Sequence, residues 1–224
     1  MQLTPFSLDT DGTKLREDAI LISRNHKGFK VSVCITNSDE LQIGSELRRY
    51  ENRHRLGFNQ EVFKSATVIE YEVNETRTKL LDVFNAQVKL NSKHDSQEIF
   101  TVASLLKRQP KNLQTAYATL HQTANLLCAD YMNHHSKAML YRNCAEYEKA
   151  YLSLDALPNI AFDNQIYGRF TSPLRRLEDL VNLKCFMSAF NHEPPPYSQE
   201  DMLALVEKKR ISIGENAKLT AKAF

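Results

Sequence analysis

The stretch YGRFTSPLRRLEDLVNLK (167–184) carries the signals of a helix start. Ser172 is typical of an N-cap. Pro173 is typical of the first helical position, since proline lacks the N–H that the first turn leaves unpaired. Apolar residues then recur at helical spacing until the HEPPP segment (192–196), where the prolines end the pattern. These signals predict a helix from Pro173 to about Asn191.

Two arginines follow directly in this predicted helix. Arg175 and Arg176 fall in the first turn, where the positive end of the helix dipole disfavours cations. A bound anion would account for both, because guanidinium groups and the N–H groups of a helix start together favour phosphate. Pairing of the arginines with Glu178, Asp179 or a neighbouring loop would also account for them. The sequence therefore predicts either a phosphate site or a set of local ion pairs here.

A second segment, LDTDGTKLREDA (8–19), concentrates carboxylates just before a predicted strand. Asp9, Asp11, Glu17 and Asp18 can converge from a loop and a strand start, and oxygen ligands of this kind suit Mg²⁺. The spacing is not that of an EF-hand loop. The alternative is a solvated acidic turn. Together with the arginines, a metal here would provide what phosphodiester hydrolysis needs: an activated water and a cation facing the phosphate.

Composition indicates an ordinary globular protein. The chain has 224 residues, of which 42% are hydrophobic, and its net charge of +2 means that nucleic-acid binding requires a local basic patch. The four cysteines lack metal-site spacing and are interpreted as reduced core thiols: Cys34, Cys128, Cys144 and Cys185. The N-terminus does not resemble a signal peptide, and no apolar run approaches the roughly 18 residues of a membrane span. We therefore expect a cytoplasmic location and no membrane partner.

Hydrophobic patterning places strands early and helices late. Alternating residues predict two hairpins, with strands over 19–23 and 29–35, and over 66–73 and 78–90. Helical spacing predicts helices over 95–106, 112–133, 144–153 and 173–191, and from Ser198 onward. We expect one α+β domain over residues 1–224, with a mostly antiparallel sheet packed by several α-helices.

The residues of both segments resemble a known family. YGRFTSPLRRLEDLVNLK is similar to the signature of the RNB domain of the ribonuclease II and R family, roughly a tyrosine, two variable residues, then FTSPIRRY-x-DL with a histidine–arginine pair soon after. FSLDTDGTKLREDAILIS (6–23) is similar to the family's metal-binding segment. The resemblance covers about 6–215 and is weak over 37–110. It implies a shortened RNB domain without the OB-type cold-shock and S1 domains that flank it in the family.

The resemblance implies a 3′→5′ exoribonuclease that uses Mg²⁺ (or Mn²⁺) held by four aspartates and releases nucleoside 5′-monophosphates from single-stranded RNA. By position the metal ligands are Asp9, Glu17 and Asp18, while the remaining aspartate falls on Leu15. Asp18 and Arg175 are the implied catalytic residues. The implied substrate-binding residues are Tyr167, Arg169, Ser172, Arg175 and Arg176.

Departures from the family pattern leave open an alternative function without full catalysis. Leu15 cannot bind metal, and Asn182 replaces the histidine that follows the arginine block. The nearby aromatics available to clamp an RNA 3′ end are Tyr50, Phe58 and Phe63. The alternative is an RNB-fold protein with weakened or no catalysis that acts as an RNA-binding or partner-binding module. A further alternative is a subunit that keeps the fold only for assembly; the sequence names no protein partner.

Overall fold

Five strands form one sheet in the computed structural model, which describes residues 1–8, 16–37, 57–106, 109–146 and 149–208. The strands are β1 (Gln2–Leu3), β2 (Asp18–Asn25), β3 (Gly28–Thr36), β4 (Lys64–Val73) and β5 (Thr78–Val88). Their order is β1-β5-β4-β3-β2; β1 runs parallel to β5 and the other neighbours are antiparallel. Both predicted hairpins, β2–β3 and β4–β5, are therefore confirmed.

The tight turn between β2 and β3 depends on Gly28. This residue has a φ of +142°, and a Cβ built on it would lie 2.5 Å from the carbonyl oxygen of Val73 on the neighbouring strand. A side chain is excluded there both by backbone conformation and by space. The glycine thus allows β3 to begin directly against β4.

Strand alternation gives the sheet two buried faces. One face, which includes Val31, Val33 and Tyr71, packs into the main core with the helices. The other face holds a smaller cluster that includes Cys34, Val68 and the buried ring of Phe58. The helices are α1 (Ser96–Leu105), α2 (Leu113–His134), α3 (Leu177–Phe190) and α4 (199–208).

Side-chain caps define the starts of three of these helices. Asp95 accepts hydrogen bonds from the N–H groups of Gln97 and Glu98 at the start of α1. Asn112 forms a capping box with Thr115 on α2, and Ser198 and Asp201 bond reciprocally at the start of α4. Because these caps satisfy N–H groups that the first turn leaves unpaired, they set the helix boundaries close to the predicted positions.

The predicted helix over 144–153 is wrong. Two short strands, β6 (Tyr141–Asn143) and β7 (Tyr151–Ser153), pair antiparallel instead, and β8 (Pro158–Asn159) pairs with β9 (Gln165–Ile166). The buried amide of Asn143 donates to the carbonyl of Asp155 and accepts from the N–H of Leu157. These contacts hold the segment against the following loop, so tertiary hydrogen bonds override the weak local helical pattern.

Three of the four cysteines lie in the interior as predicted. Cys34, Cys128 and Cys185 are buried and form no disulfide bond, and Cys144, also without a disulfide bond, is half-buried. Burial raises the pKa of Cys34 and Cys185 to about 12. Among the described helices, none combines the length and the apolar character needed to cross a lipid bilayer.

Candidate nucleic-acid interface

The two segments singled out in the sequence meet in space. Glu17, directly before β2, is buried and reaches the loop that precedes α3. The N–H of Leu174 donates to its Oε2 at 2.9 Å, and its Oε1 forms an ion pair with Nε of Arg175. Residues 157 positions apart in sequence are thereby joined through one side chain. Of the acidic segment, Glu17 thus meets the arginine segment, whereas the predictions for Asp9 and Asp11 lie outside the described residues.

The loop before α3, residues 167–176, is held by buried side chains from several elements. The N–H of Phe170 donates to Oδ1 of Asn125 on α2 at 3.0 Å. Asn182 on α3 donates from Nδ2 to the carbonyl of Arg169 at 3.0 Å. Because an irregular loop cannot pair its own backbone groups, these side chains and Glu17 supply the missing partners.

Asn182 also joins this loop to Leu140, the residue directly before β6. Its Oδ1 accepts from the N–H of Leu140 at 2.8 Å, and its Nδ2 donates to the carbonyl of Leu140 at 2.9 Å. The sequence carries no signal for this role, since Asn182 stands there only as a departure from the family pattern. Asn125 was likewise missed as a loop-holding residue.

The helix begins later than the sequence predicts. Helix α3 starts at Leu177 with Arg176 as the N-cap, and residues 173–175 form a turn before it. Both arginines therefore precede the helix, while Glu178 and Asp179 occupy its first turn. The predicted conflict between the arginines and the helix dipole disappears, because acidic side chains stand where the dipole favours them.

Asp179 explains why the start is displaced. It is fully buried and accepts two hydrogen bonds from Arg176, from Nε to Oδ1 and from Nη2 to Oδ2, each of 2.8 Å. Its Oδ2 also accepts from the N–H of Ser172 at 2.9 Å. These bonds hold Ser172 and Arg176 against the Asp179 carboxylate, so the residues before Leu177 do not continue the helix. Arg176 therefore forms one of the local ion pairs that the sequence predicted as the alternative to a phosphate site.

Four arginines gather at this end of the molecule: Arg142, Arg169, Arg175 and Arg176, here called the arginine cluster. Arg142 lies on β6, and burial, followed by the nearby charge of Arg169, lowers its pKa. Nη1 of Arg169 lies 3.8 Å from Oε1 of Glu178. The described carboxylates paired with the cluster are Glu17, Glu178 and Asp179.

Burial perturbs the ionisation of Glu17. Its pKa is raised to about 7, chiefly by burial and further by the neighbouring charge of Asp18. The charge of Arg175 and the hydrogen bond from Leu174 act in the opposite direction without cancelling the rise. The carboxyl is therefore partly protonated near neutral pH, which reduces the negative charge that faces the arginine cluster.

Asp18 faces helix α2 instead of the loop. Its Oδ1 lies 3.4 Å from Nε2 of His121, whose ring centroid lies 4.7 Å from that of Tyr117. His121 and Tyr117 are both buried on α2. Adjacent carboxylates, Glu17 and Asp18, thus have protein partners on different elements.

The described residues do not by themselves complete the predicted metal set. Asp9, Asp11 and Leu15 lie outside the described residues. Within the described ranges, no group of three histidine, cysteine, aspartate or glutamate side chains can hold a metal. Both oxygens of the Glu17 carboxyl have protein partners, Arg175 and the N–H of Leu174, and the metal site stays a prediction.

The remaining predicted substrate contacts differ in exposure. Tyr167 is buried, with its hydroxyl accepting from Nδ2 of Asn125 at 3.1 Å and its ring stacked on Phe162 at a centroid distance of 3.8 Å. Ser172 is buried, and its Oγ accepts from Nη2 of Arg175 at 3.0 Å. These two residues support the loop, while the guanidinium groups reach its surface.

The predicted aromatic clamp is not assembled from the described aromatics. Phe58 is buried in the smaller core cluster. Phe63 is half-buried, with Nζ of Lys89 5.0 Å from its ring centroid. Tyr50 lies outside the described residues.

Solved structures show the same fold. No protein-family model and no curated protein sequence matches the chain. RNase R from Mycoplasma genitalium, in complex with ribose methylated single-stranded RNA, superposes with a TM-score of 0.74 at 15% identity, over 93% of this chain and 53% of its own. An active-site mutant of Dss1 exoribonuclease from Candida glabrata superposes with a TM-score of 0.75 at 12% identity. The superposition covers 92% of this chain and 42% of the Dss1 chain.

A third similar structure is described as a pseudonuclease. Yeast Ssd1 superposes with a TM-score of 0.66 at 10% identity, over 89% of this chain and 43% of its own. The chain therefore spans about half the length of the proteins it resembles. Its fold is that of the RNB domain, as the motif resemblance implied.

Proposed function

We propose that this protein binds single-stranded RNA at the arginine cluster, and that Glu17 serves the arginines as an internal partner instead of holding a metal. The observation that carries the proposal is the environment of Glu17: a buried carboxyl with both oxygens engaged, one by Arg175 and one by the N–H of Leu174. A Glu17 carboxyl held in this way fixes the position of the Arg175 guanidinium.

The charges of the cluster favour an anionic ligand. Four arginines face three described carboxylates, and the raised pKa of Glu17 reduces the negative charge further. The side chain of Arg175 is 57% exposed, whereas that of Glu17 is 2% exposed. A phosphate arriving from solvent therefore meets the guanidinium and not the carboxylate, and bidentate hydrogen bonds to phosphate oxygens are the usual result.

The similar structures also favour RNA as the ligand. One is solved with single-stranded RNA, and another is a pseudonuclease, so this fold occurs in proteins described in both ways. Single-stranded RNA presents a flexible line of phosphates that can reach a recessed cluster. Phosphate contacts of this kind position a strand without reading its sequence.

Binding of a labelled single-stranded RNA, measured by fluorescence anisotropy in EDTA, tests the proposal. We expect Arg175→Gln to weaken binding about fivefold to tenfold, since one charged contact is lost. Arg77→Gln is the matched control, because Arg77 is 54% exposed and pairs with Glu72, whose side chain is 7% exposed, at 2.9 Å. Equal affinity of both variants and the unmodified protein would overturn the proposal.

A second candidate is the 3′→5′ exoribonuclease implied by the resemblance. It is favoured by the convergence of Glu17 on Arg175, with Asp18 next along the chain. It requires Mg²⁺ or Mn²⁺ and a contribution from Asp9, outside the described residues. Mononucleotide release from a 3′-tailed RNA with Mg²⁺, lost in Asp18→Asn, would support this candidate. Binding without release, unchanged by that substitution, would support RNA binding alone. A cytoplasmic location stays a prediction for both candidates.

A further inference from the structure

A cavity of about 330 Å³ lies between the sheet and helix α3, separate from the arginine cluster. The sheet side of the cavity is lined by Thr67 and Asn85, from neighbouring strands, and by Asn37, directly after β3. Thr67 and Asn85 are direct cross-strand partners, and the Thr67 hydroxyl lies 3.4 Å from Oδ1 of Asn85. This wall presents amide and hydroxyl groups that both donate and accept hydrogen bonds.

The opposite wall comes from helix α3 and the residues after it. Leu183 and Met187 provide an apolar surface, and Asn191 adds another amide at the end of the helix. A thioether packs well against an aromatic ring and adapts to its position. The cavity thus combines two apolar side chains with amides on both sides, a set of groups suited to a planar polar ligand.

A second cavity, of about 340 Å³, adjoins the first and shares Asn37 and Asn85 with it. Ser65 and Gln87 also line it, and Nε2 of Gln87 donates to Oγ of Ser65 at 3.0 Å. Side-chain amides therefore line both cavities: Asn37 and Asn85 line both, and Gln87 lines the second. Each volume lies near the lower end of the range for small-molecule sites, which suits a single base or nucleoside.

The charge of the first cavity excludes phosphate as its preferred ligand. The charged residues that line it are one of each sign, Lys184 and Glu193. A neutral group with adjacent donors and acceptors matches this lining better than an anion. Nucleobases are such groups, and asparagine side chains pair bidentately with adenine in particular.

The position of the cavity matches a strand held at the arginine cluster. Helix α3 begins directly after Arg176, and Met187 lies 11 residues later along the same helix. At about 1.5 Å per residue this separation is roughly 16 Å, which a few nucleotides span. On the sheet side, the N–H of Thr36 donates to the carbonyl of Glu17 at 2.9 Å, so Asn37 follows directly on the strand beside Glu17.

We propose that this amide-lined cavity holds one base of the single-stranded RNA, with adenine preferred. The proposal rests on the proposed RNA-binding function and adds base recognition to it. Phosphate contacts at the arginine cluster would set the position of the strand, and the edges of a base would then meet Asn37 and Asn85. The flat face of the base would lie against Leu183 and Met187.

Binding of oligoadenylate, oligouridylate and an abasic strand of equal length tests this inference. We expect the unmodified protein to bind oligoadenylate about fivefold more tightly than the abasic strand. Asn85→Leu should remove that preference, since it replaces the amide with an apolar group of similar size. Asn85 is exposed, so this change is compatible with folding; Asn133→Leu, on α2 outside both cavities, is the control.

Two results would overturn the inference, and they are distinguishable. Equal affinity for all three strands, with weakening by Arg175→Gln retained, would overturn base recognition and leave the proposed function standing. No binding of any strand by the unmodified protein would overturn the proposed function and this inference together. A preference lost in Asn85→Leu and kept in Asn133→Leu would establish the cavity as the source of recognition.

Discussion

At the scale of single residues, Glu17 has the most consequential environment in the described structure. Its side chain lies between Arg175 and the N–H of Leu174, and its role as a metal ligand stays a prediction. Burial of a carboxyl without full compensation raises its pKa, here to about 7. Glu17 therefore pairs with Arg175 and also changes its own protonation near neutral pH.

The raised pKa predicts a pH dependence of stability. A carboxyl whose folded pKa exceeds its unfolded value of 4.5 contributes stability that is fully present below pH 4.5 and is lost as the pH rises to about 7. The loss amounts to at most about 3 kcal/mol. Glu17→Gln keeps an acceptor for Leu174 and cannot ionise, so its free energy of unfolding should fall less between pH 5 and pH 8.

Urea unfolding of both proteins at pH 5 and pH 8 measures this difference. Other titrating groups affect the two proteins alike and cancel in the comparison. If the free-energy difference between variant and unmodified protein is the same at both pH values, the raised pKa of Glu17 is wrong.

At the scale of elements, the loop over 167–176 depends on its neighbours for its conformation. Asn125 on α2, Asn182 on α3 and Glu17 before β2 each satisfy backbone groups of this loop. A loop supported from three elements holds its guanidinium groups in place before any ligand arrives. Such preorganisation reduces the entropic cost of binding.

Asn182→Ala tests this support. It removes three buried hydrogen bonds, those to the N–H and the carbonyl of Leu140 and to the carbonyl of Arg169. Because buried polar groups would be left unsatisfied, we expect a loss of about 3 kcal/mol or more in the free energy of unfolding. Asn133→Ala on α2 should change it by no more than about 0.5 kcal/mol. Similar small losses in both variants, by urea unfolding, would contradict this role.

At the scale of the whole molecule, the near-zero net charge determines how RNA binding depends on electrostatics. The chain carries 29 basic and 27 acidic residues, so no overall field draws in a polyanion. Binding must come from local excess charge, and at the arginine cluster four arginines face three described carboxylate partners. The salt dependence of RNA binding should therefore reflect a few contacts.

We expect the logarithm of the RNA association constant to fall linearly with the logarithm of salt concentration. Each phosphate contact to a single strand contributes a slope of about −0.7, so Arg175→Gln should make the slope shallower by about that amount. Arg77→Gln should leave it unchanged. A slope indifferent to Arg175 would mean that the strand binds elsewhere on the molecule.

Local patterning determined the two hairpins and the starts of α1 and α4 in this protein. Alternation over 29–35 and 66–73 predicted the hairpins, since one-sided burial needs a period of two. Asp95 and Ser198 predicted helix starts, because capping is a contact among near neighbours in sequence. The motif resemblance further indicated that the arginine segment and the acidic segment share one fold.

The tertiary structure alone decided how those segments meet. The side chain that Arg175 pairs with, the displaced start of α3 at Leu177 and the strands over 141–153 all depend on contacts between elements distant in sequence. Spacing cannot reveal that Glu17 is buried, and burial is what engages its oxygens and raises its pKa. A sequence specifies which groups are present, whereas burial and pairing set their charge, and these exist only once the chain has folded.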